Sequence, residues 1–394
     1  MKKLFLVFLI GVILQIPISA QKDTALVNER INTVQRMHYK DNRFVIGAYG
    51  QVDYNQQLSS DVSYNGNMDV HRIVLLFGYK FDNKTSVYTE VEYEHVEEVF
   101  IEQAFINHKI NPWLNFRAGL MLIPMGIINE YHEPPIFNGV ERPNLDKYIV
   151  PSTWREIGAG FMGRIDDYSL KYQIYITNGL LGYDGDARFN GENGLRGGRQ
   201  KGMESVFSFP NFAGRIDYFA IPGLKLGLSG YFGKSQSTAY QGIDKNNEIL
   251  KTSADSTVIG ISMLGLDAQY TLAGFGFTGQ LYYSKHNNVL QYNSFTGSNL
   301  GESLFGYYIE ASYNIFNTLP TKHELIPFVR YENYDTQFSV SSDTPINNTS
   351  ARQEFIFGLG WKMHNNAIVK MDYQIIDNGV ETKNFLNMGI GFMF

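Results

Sequence analysis

The sequence predicts an all-β protein, specifically a transmembrane antiparallel β-barrel of about 16 strands with a long third outer loop folded into the lumen. Three observations favour this fold. The chain begins with an export signal, most of the remainder alternates at the period of a β-strand, and the connections are short and long in turn. The weakest strand assignments leave counts of 14 or 18 open.

The first 20 residues have the organisation of a secretory signal peptide. Lys2 and Lys3 precede an apolar run, and Ser19 and Ala20 mark the expected cleavage site. Residues 21–41 are expected to follow as a short periplasmic segment, helical or irregular, and residues 42–394 to form the barrel. No second run of about 18 apolar residues occurs, so a helical membrane span is not expected.

The composition suits an exported barrel. Aromatic residues make up 14% of the chain, with 26 Tyr and 28 Phe, although mean hydropathy is slightly negative. A polar lumen, an apolar exterior and aromatic girdles at the two membrane surfaces produce this combination. Cysteine is absent, which excludes disulfides, thiol catalysis and Cys-based metal sites. A secreted β-sandwich enzyme would tolerate the same composition, so the residue pattern must decide.

The alternation identifies individual strands. In residues 114–122, apolar side chains occupy the even positions, whereas Asn115 and Arg117 lie on odd ones. The same pattern recurs in segments 43–53, 72–79, 87–94, 170–177 and 369–376.

The connections between these segments fall into two classes. Short turns are predicted at residues 82–84, 111–112, 166–167, 221–223, 272–274, 317–323 and 364–366. Long polar connections are predicted at residues 55–67, 124–155, 179–210, 234–256, 286–303 and 337–351. Outer-membrane barrels have short periplasmic turns and long outer loops, whereas a sandwich has no reason to sort its connections. The predicted location is therefore the outer membrane of a Gram-negative bacterium, with lipid against the apolar strand faces.

The chain ends with LNMGIGFMF, in which Leu386, Met388, Ile390, Phe392 and Phe394 share one parity. A final strand of this kind looks like the signal by which barrel-assembly machinery recognises outer-membrane proteins, here through Phe394. The alternative is an edge strand in a soluble sheet.

Three stretches carry a family resemblance: RAGLMLIPMGI at 117–127, ITNG at 176–179 and AGRIDYFAIPGLKLGLSGYFG at 213–233. They resemble the porin superfamily that includes the phosphate-selective porins O and P, in the form common in Bacteroidetes-type bacteria. The matching positions are Gly119, Pro124, Gly126, Asn178, Gly179, Gly214 and Arg215. The resemblance implies a 16-stranded homotrimeric channel for passive diffusion of small hydrophilic solutes or ions, with the third outer loop in the pore.

That third loop, residues 124–155, is rich in proline and apolar residues, which favours an ordered, packed loop. A rigid lid or a trimer contact is the alternative. Its candidate constriction residues are Glu130, His132, Glu133, Glu141, Arg142, Asp146, Lys147 and Arg155.

Charged residues of both signs fall on the inward parity of the predicted strands. The candidate pore-lining residues are Arg43, Arg72, Glu90, Glu92, Glu94, Arg117, Arg164, Arg215, Arg330 and Glu332. Three glutamates facing lipid would be costly, which favours the inward assignment of Glu90, Glu92 and Glu94. The formal net charge of −6 argues mildly against an anion pore, so selectivity for anions such as phosphate or for cations stays open.

No catalytic residue, metal, cofactor or nucleic-acid partner is expected. His132 and Glu133 are interpreted as solvated loop residues. Residues 184–192 are spaced only loosely like a calcium loop and lack the EF-hand pattern. The alternative functions are a surface-binding or adhesin barrel with a plugged lumen and, less favoured, an outer-membrane barrel enzyme. Whether the third loop narrows or fills the lumen would discriminate between a channel and a plugged barrel.

Overall fold

The computed structural model describes residues 32–38, 42–244 and 246–394, and in these residues the chain forms a closed antiparallel barrel of sixteen strands. The predicted signal peptide, residues 1–20, lies outside the described residues, as do residues 21–31 and 39–41 of the predicted N-terminal segment. The all-β class and the strand count of 16 are confirmed.

Eighteen strands are present in the described residues, and all but β8 and β11 belong to the barrel. Their bounds are β1 Phe44–Leu58, β2 Asn67–Lys80, β3 Thr85–Glu94, β4 Glu98–Asn111, β5 Leu114–Leu122, β6 Arg155–Ile165, β7 Leu170–Thr177, β8 Leu181–Tyr183, β9 Asn211–Tyr218, β10 Leu224–Lys234, β11 Gln236–Ser237, β12 Gly260–Leu272, β13 Phe275–Asn287, β14 Ser303–Tyr313, β15 Glu324–Ser339, β16 Ala351–His364, β17 Ala367–Asp377 and β18 Thr382–Met393. Strands β8 and β11 pair in parallel within two of the long loops.

Four short α-helices accompany the strands in the described residues: α1 Thr33–His38, α2 Leu145–Tyr148, α3 Glu248–Asp255 and α4 Val289–Thr296. None of them is long and apolar enough to span a membrane. Helices α3 and α4 lie in segments that alternation alone assigned to polar loops. Helix α3 is started by Asn247, whose side chain accepts hydrogen bonds from the amides of Ile249 and Leu250.

The barrel has no free edge. Strand β1 pairs with β2 on one side and with β18 on the other, and β18 also pairs with β17. The Phe394 backbone extends this closure, because its amide donates to the Ala48 carbonyl at 2.8 Å and its carbonyl accepts from the Ala48 amide at 3.1 Å. The final strand is therefore not the edge of a soluble sheet. In a membrane, closure leaves no unpaired strand amide in hydrocarbon.

The two faces of the barrel wall differ in polarity. On β7, Ile174 and Ile176 are exposed on the outside, whereas Gln173, Tyr175 and Thr177 are buried on the inside. Other strands repeat this pattern, so an apolar exterior surrounds a polar and charged interior.

The connections alternate largely as predicted, with two exceptions. The link between β3 and β4 and the link between β17 and β18 lie on the long-loop side but span only residues 95–97 and 378–381. In the first link, His95 and Val96 both adopt positive φ, a backbone conformation that lets two antiparallel strands reverse in a tight turn.

Candidate functional site

Residues 123–154, between β5 and β6, form what we term the inner segment. Its two ends are clamped together, since the Ile123 amide donates to the Trp154 carbonyl at 3.0 Å. The Asn129 side-chain amide donates to the Ile123 carbonyl at 2.7 Å and to the Trp154 carbonyl at 2.8 Å. The Trp154 indole donates to Glu156 at 2.6 Å. The inner segment therefore leaves and re-enters the barrel wall as a closed, hydrogen-bonded loop.

The inner segment is fixed to inward side chains of β9, β13 and β17. Arg215 donates to the Gly126 carbonyl at 3.1 Å, and Gln280 donates to the Asp146 carboxylate at 2.8 Å. Lys370 donates to two main-chain carbonyls of the segment, at 2.8 and 2.7 Å. With the carboxylates described next, these residues form what we term the braced face.

The braced face neutralises its own arginines. Arg215 makes a bidentate contact with Asp267 at 2.7 and 2.8 Å and also donates to Asp217 at 2.9 Å. Arg330 contacts Glu332 at 2.9 Å. Both arginines are 2% exposed, so their charges are compensated by carboxylates rather than by solvent.

Several carboxylates of the barrel also bind the inner segment directly. Glu332 accepts from the Leu145 amide at 2.9 Å, and Glu354 accepts from the Asn144 side chain at 2.9 and 3.0 Å. In the segment itself, Glu130 accepts from Lys171 at 3.0 Å. Buried strand carboxylates and segment donors thus satisfy one another around much of the barrel circumference.

Arg155 of the predicted constriction set lies near three cations of the next long loop, Arg196, Arg199 and Lys201, and we term these four residues the cationic face. In the described part of the chain, none of the four lies within 4.0 Å of a carboxylate oxygen, in contrast to the arginines of the braced face. Arg142 of the predicted constriction set instead donates to the His132 carbonyl at 3.3 Å.

The cationic face is held together by its neighbours rather than by counter-charges. Arg196 and Arg199 both donate to the Ser152 carbonyl, at 3.2 and 2.5 Å. Arg155 and Lys201 both lie against the Phe100 ring, at 5.7 and 4.7 Å from its centroid. Burial, followed by the charges of Arg196 and Arg155, lowers the pKa of Arg199 to about 9. The guanidinium still carries its charge at neutral pH.

Sequence alternation did not identify Arg196, Arg199 or Lys201 because a loop has no strand parity. A cluster of basic residues, LRGGRQK at 195–201, was the available signal.

A second group missed by alternation involves Glu102 on β4. Pairing with β3 skips from Gln103 opposite Glu90 to Ile101 opposite Val91, so Glu102 is the extra residue of a β-bulge. Its side chain is fully buried beside Gln103, although simple alternation would place the two on opposite faces. The bulge brings Glu102 to Glu90 and to His132 of the inner segment.

The glutamates predicted on β3 have separate partners. Glu92 and Glu94 contact Arg72 at 3.2 and 3.6 Å. Glu90 instead accepts from the Gln103 side chain at 2.5 Å.

The remaining predicted residues lie apart from these clusters or at their margins. Arg43 precedes β1 and is exposed, and Lys147 is exposed over the Tyr148 ring. Arg164 contacts Asp166 next to a short turn.

Two further predicted residues contact the barrel wall. Arg117 lies over the Phe105 ring at 4.1 Å, and Glu141 accepts from Asn55 at 3.0 Å.

Helix α1 lies at the short-turn end of the barrel, where it contacts the inner segment. Met37 is 1% exposed, and the Thr33 amide donates to Glu133 at 2.6 Å. Arg36 donates to Asn366 in the turn between β16 and β17 at 2.8 Å. The described part of the predicted N-terminal segment therefore packs against the barrel and the inner segment.

No family model matches the chain. An uncharacterized protein of Aquifex aeolicus (strain VF5) is 32% identical over 336 residues, which cover 83% of this chain and 74% of that protein. The chain belongs to the family of this Aquifex protein. The match extends across most of the barrel, so the family is defined by the barrel rather than by one loop or motif.

Solved structures share the fold at low sequence identity. An anion-selective porin from Comamonas acidovorans is 11% identical with a TM-score of 0.57, over 89% of this chain and 100% of that one. The outer membrane channel DcaP of Acinetobacter baumannii is 10% identical with a TM-score of 0.58, over 89% and 97%. A trimer form of OmpT, an outer membrane protein of Vibrio cholerae, is 11% identical with a TM-score of 0.51, over 90% and 100%.

The predicted outer-membrane location is confirmed by this fold. A closed barrel of 16 strands with an apolar exterior and a polar interior is the architecture of Gram-negative outer-membrane barrels.

Proposed function

We propose that the protein is an outer-membrane porin, a water-filled channel for passive diffusion of small hydrophilic solutes or ions. One observation carries the proposal: a closed barrel of 16 strands holds a charged inner segment against charged and polar inward side chains. Barrels of this size leave room for an aqueous path. No chemical step is involved, because the wall holds the path open and the inner segment sets its width.

We further propose that the channel prefers anions. The inward arginines of the braced face are matched by carboxylates, so they add little net field. The cationic face has no such matching within 4.0 Å in the described residues, which supports a positive potential next to these four side chains. Phosphate is one candidate solute, in keeping with the sequence resemblance to the phosphate-selective porin O/P superfamily of Bacteroidetes-type bacteria.

The remaining assignments are part of the same proposal. Residues 1–20 are the signal peptide, and residues 21–41 are a short periplasmic segment whose helix α1 contacts the inner segment through Thr33. The assembled form is a homotrimer, for which the trimer form of Vibrio cholerae OmpT is a precedent. Phe394 is the contact for barrel-assembly machinery.

The proposal is tested by single-channel recording of the refolded mature protein, beginning at residue 21, in a planar bilayer. Discrete conductance steps are expected, and in a salt gradient the reversal potential should have the sign of an anion current. Conductance steps whose reversal potential has the sign of a cation current would support the porin assignment and overturn the proposed anion preference. Folded protein that produces no steps would overturn the porin assignment.

The burial of the inner segment favours one alternative, a plugged barrel that binds ligands through its outer loops. Trp154, Ile149 and Leu145 are fully buried, and helix α1 occupies further interior space. A plugged barrel would give neither conductance nor swelling of proteoliposomes in sugar solutions, whereas a narrowed channel would give both. An enzyme is not proposed, since nothing in the described residues suggests a reaction.

A further inference from the structure

The buried group around Glu102 contains three side chains able to bind a metal ion. One carboxylate oxygen each from Glu90 and Glu102 and one ring nitrogen of His132 lie within 4.8 Å of one another. The three residues are 2%, 0% and 3% exposed. They belong to β3, to the bulge of β4 and to the inner segment, so the fold, rather than local sequence, brings them together.

The carboxylates of this group receive hydrogen bonds from neutral donors, the Gln103 amide to Glu90 at 2.5 Å and the Tyr49 hydroxyl to Glu102 Oε2 at 3.1 Å. In the described residues, neither Glu90 nor Glu102 lies within 4.0 Å of an arginine or lysine, because the nearby Arg72 is engaged by Glu92 and Glu94. Oε1 of Glu102 is buried and has no hydrogen-bond partner in the described residues. Two buried carboxylates this close need a proton or a cation between them.

His132 is oriented as a ligand. Its Nδ1 lies 3.1 Å from the Asn129 carbonyl, which accepts a hydrogen bond and therefore fixes the proton on Nδ1. Nε2 faces the carboxylates, 3.6 Å from Glu102 Oε2 and 3.0 Å from the Tyr49 hydroxyl. A main-chain carbonyl that accepts from the second ring nitrogen is the usual support of a metal-binding histidine.

We propose that Glu90, Glu102 and His132 bind a divalent first-row transition metal ion of the Zn²⁺ type. One imidazole and two carboxylates suit such an ion, whereas Ca²⁺ and Mg²⁺ prefer oxygen ligands alone. A tetrahedral ion with bonds of about 2.1 Å holds its ligand atoms about 3.4 Å apart, so small side-chain rotations would close the site. Tyr49 or water supplies the fourth ligand.

A bound ion would add a covalent-like tie on the side of the inner segment where the braced face is absent. It would join His132 to β3 and β4 and offset the negative charge of both glutamates. This inference does not depend on whether the barrel conducts, because metal binding is measured on the folded protein alone.

The test is isothermal titration of chelator-treated, refolded mature protein with Zn²⁺ in detergent. One ion per chain is expected for the wild type. Glu102→Gln keeps the shape of the side chain, and this variant and His132→Gln should each weaken binding at least about 100-fold, since even supporting residues of metal sites contribute 10- to 100-fold. His286→Gln is the matched control, because His286 is equally buried but bonds Ser284 and the Gly301 carbonyl.

Folding of each variant is checked by heat-modifiable gel mobility, and Glu102→Gln alone decides the matter if His132→Gln does not fold. X-ray absorption at the zinc edge should show one imidazole among oxygen ligands. The proposal is overturned if folded wild type binds no Zn²⁺ saturably, or if Glu102→Gln binds it as tightly as the wild type and the His286→Gln control.

Discussion

The two sides of the inner segment differ in how the positive charges of their side chains are compensated. On the braced face, Arg215 and Arg330 are buried and each is matched by two carboxylates of the barrel wall. On the cationic face, Arg155 and Arg199 rest on a ring and on main-chain carbonyls instead. The first arrangement fixes the segment, and the second leaves positive charge that is free to act on a solute.

This difference indicates which residues stabilise the fold and which residues are proposed to set ion selectivity. A buried, matched ion pair adds little long-range field but is costly to break, because removing one partner leaves an uncompensated charge in the interior. An unmatched cation contributes little to stability but shapes the local potential. Substitutions on the two faces should therefore change different measurements.

The largest effect is expected from Arg215→Met. The change leaves Asp217 and Asp267 buried without their counter-charge and removes the hydrogen bond to the Gly126 carbonyl. Breaking a buried pair in this way costs about 3–5 kcal/mol. The measurement is the free energy of unfolding in urea from phospholipid vesicles.

Lys251→Met is the control for this loss. Lys251 pairs with Glu248 at 2.9 Å on the exposed helix α3, and an exposed pair contributes about 0–1 kcal/mol. Equal destabilisation by the two substitutions would contradict the view that the braced face holds the fold.

The next effect is a pH dependence at Asp146, in helix α2 of the inner segment. Burial raises the pKa of Asp146 to about 7, from an ordinary value of 3.8, and the charge of Asp267 adds to this rise. The folded protein thus holds a proton that the unfolded chain releases. This contribution is fully present below about pH 4 and is lost as pH rises towards 7 and above.

Asp146→Asn should remove this dependence while keeping an acceptor for the Gln280 amide. Between pH 4 and pH 8, the variant should become more stable relative to the wild type. The change in the difference between their unfolding free energies should reach about 4 kcal/mol, because the pKa shift is about 3 units. Measuring both proteins at each pH cancels other titrating groups. A difference that does not change with pH would show that Asp146 is ionised in the fold.

The sequence was informative where period-two alternation operates. The closed barrel and its sixteen strands follow from parity and connection length. The contacts between side chains in the barrel interior could not be predicted from the sequence. Glu102 is displaced by a bulge that one sequence does not reveal, and the contact of Arg215 with Asp267 depends on how strands pair around the barrel, since the two residues are 52 positions apart.

The smallest effect is expected from a substitution on the cationic face, and this substitution gives the most direct comparison with the braced face. Arg199→Gln removes one positive charge that has no carboxylate partner in the described residues. A charge about 4 Å from a permeating ion contributes about 1 kcal/mol in water, or about fivefold for one ion, and it acts with opposite sign on anions and cations. The anion-to-cation permeability ratio should therefore fall at least about fivefold. Reversal potentials in a salt gradient measure the ratio, and the free energy of unfolding should change little.

Arg188→Gln is the matched control, because Arg188 lies in the same loop but is paired with Asp184. Its loss should leave the permeability ratio within about twofold of the wild type, since a screened surface charge acts only over a Debye length of about 10 Å. If both substitutions lower the ratio equally, selectivity reflects the total charge of the outer loops. If only Arg199→Gln does so, the permeating ion passes along the cationic face, and the braced face serves to hold the opposite side of the inner segment in place.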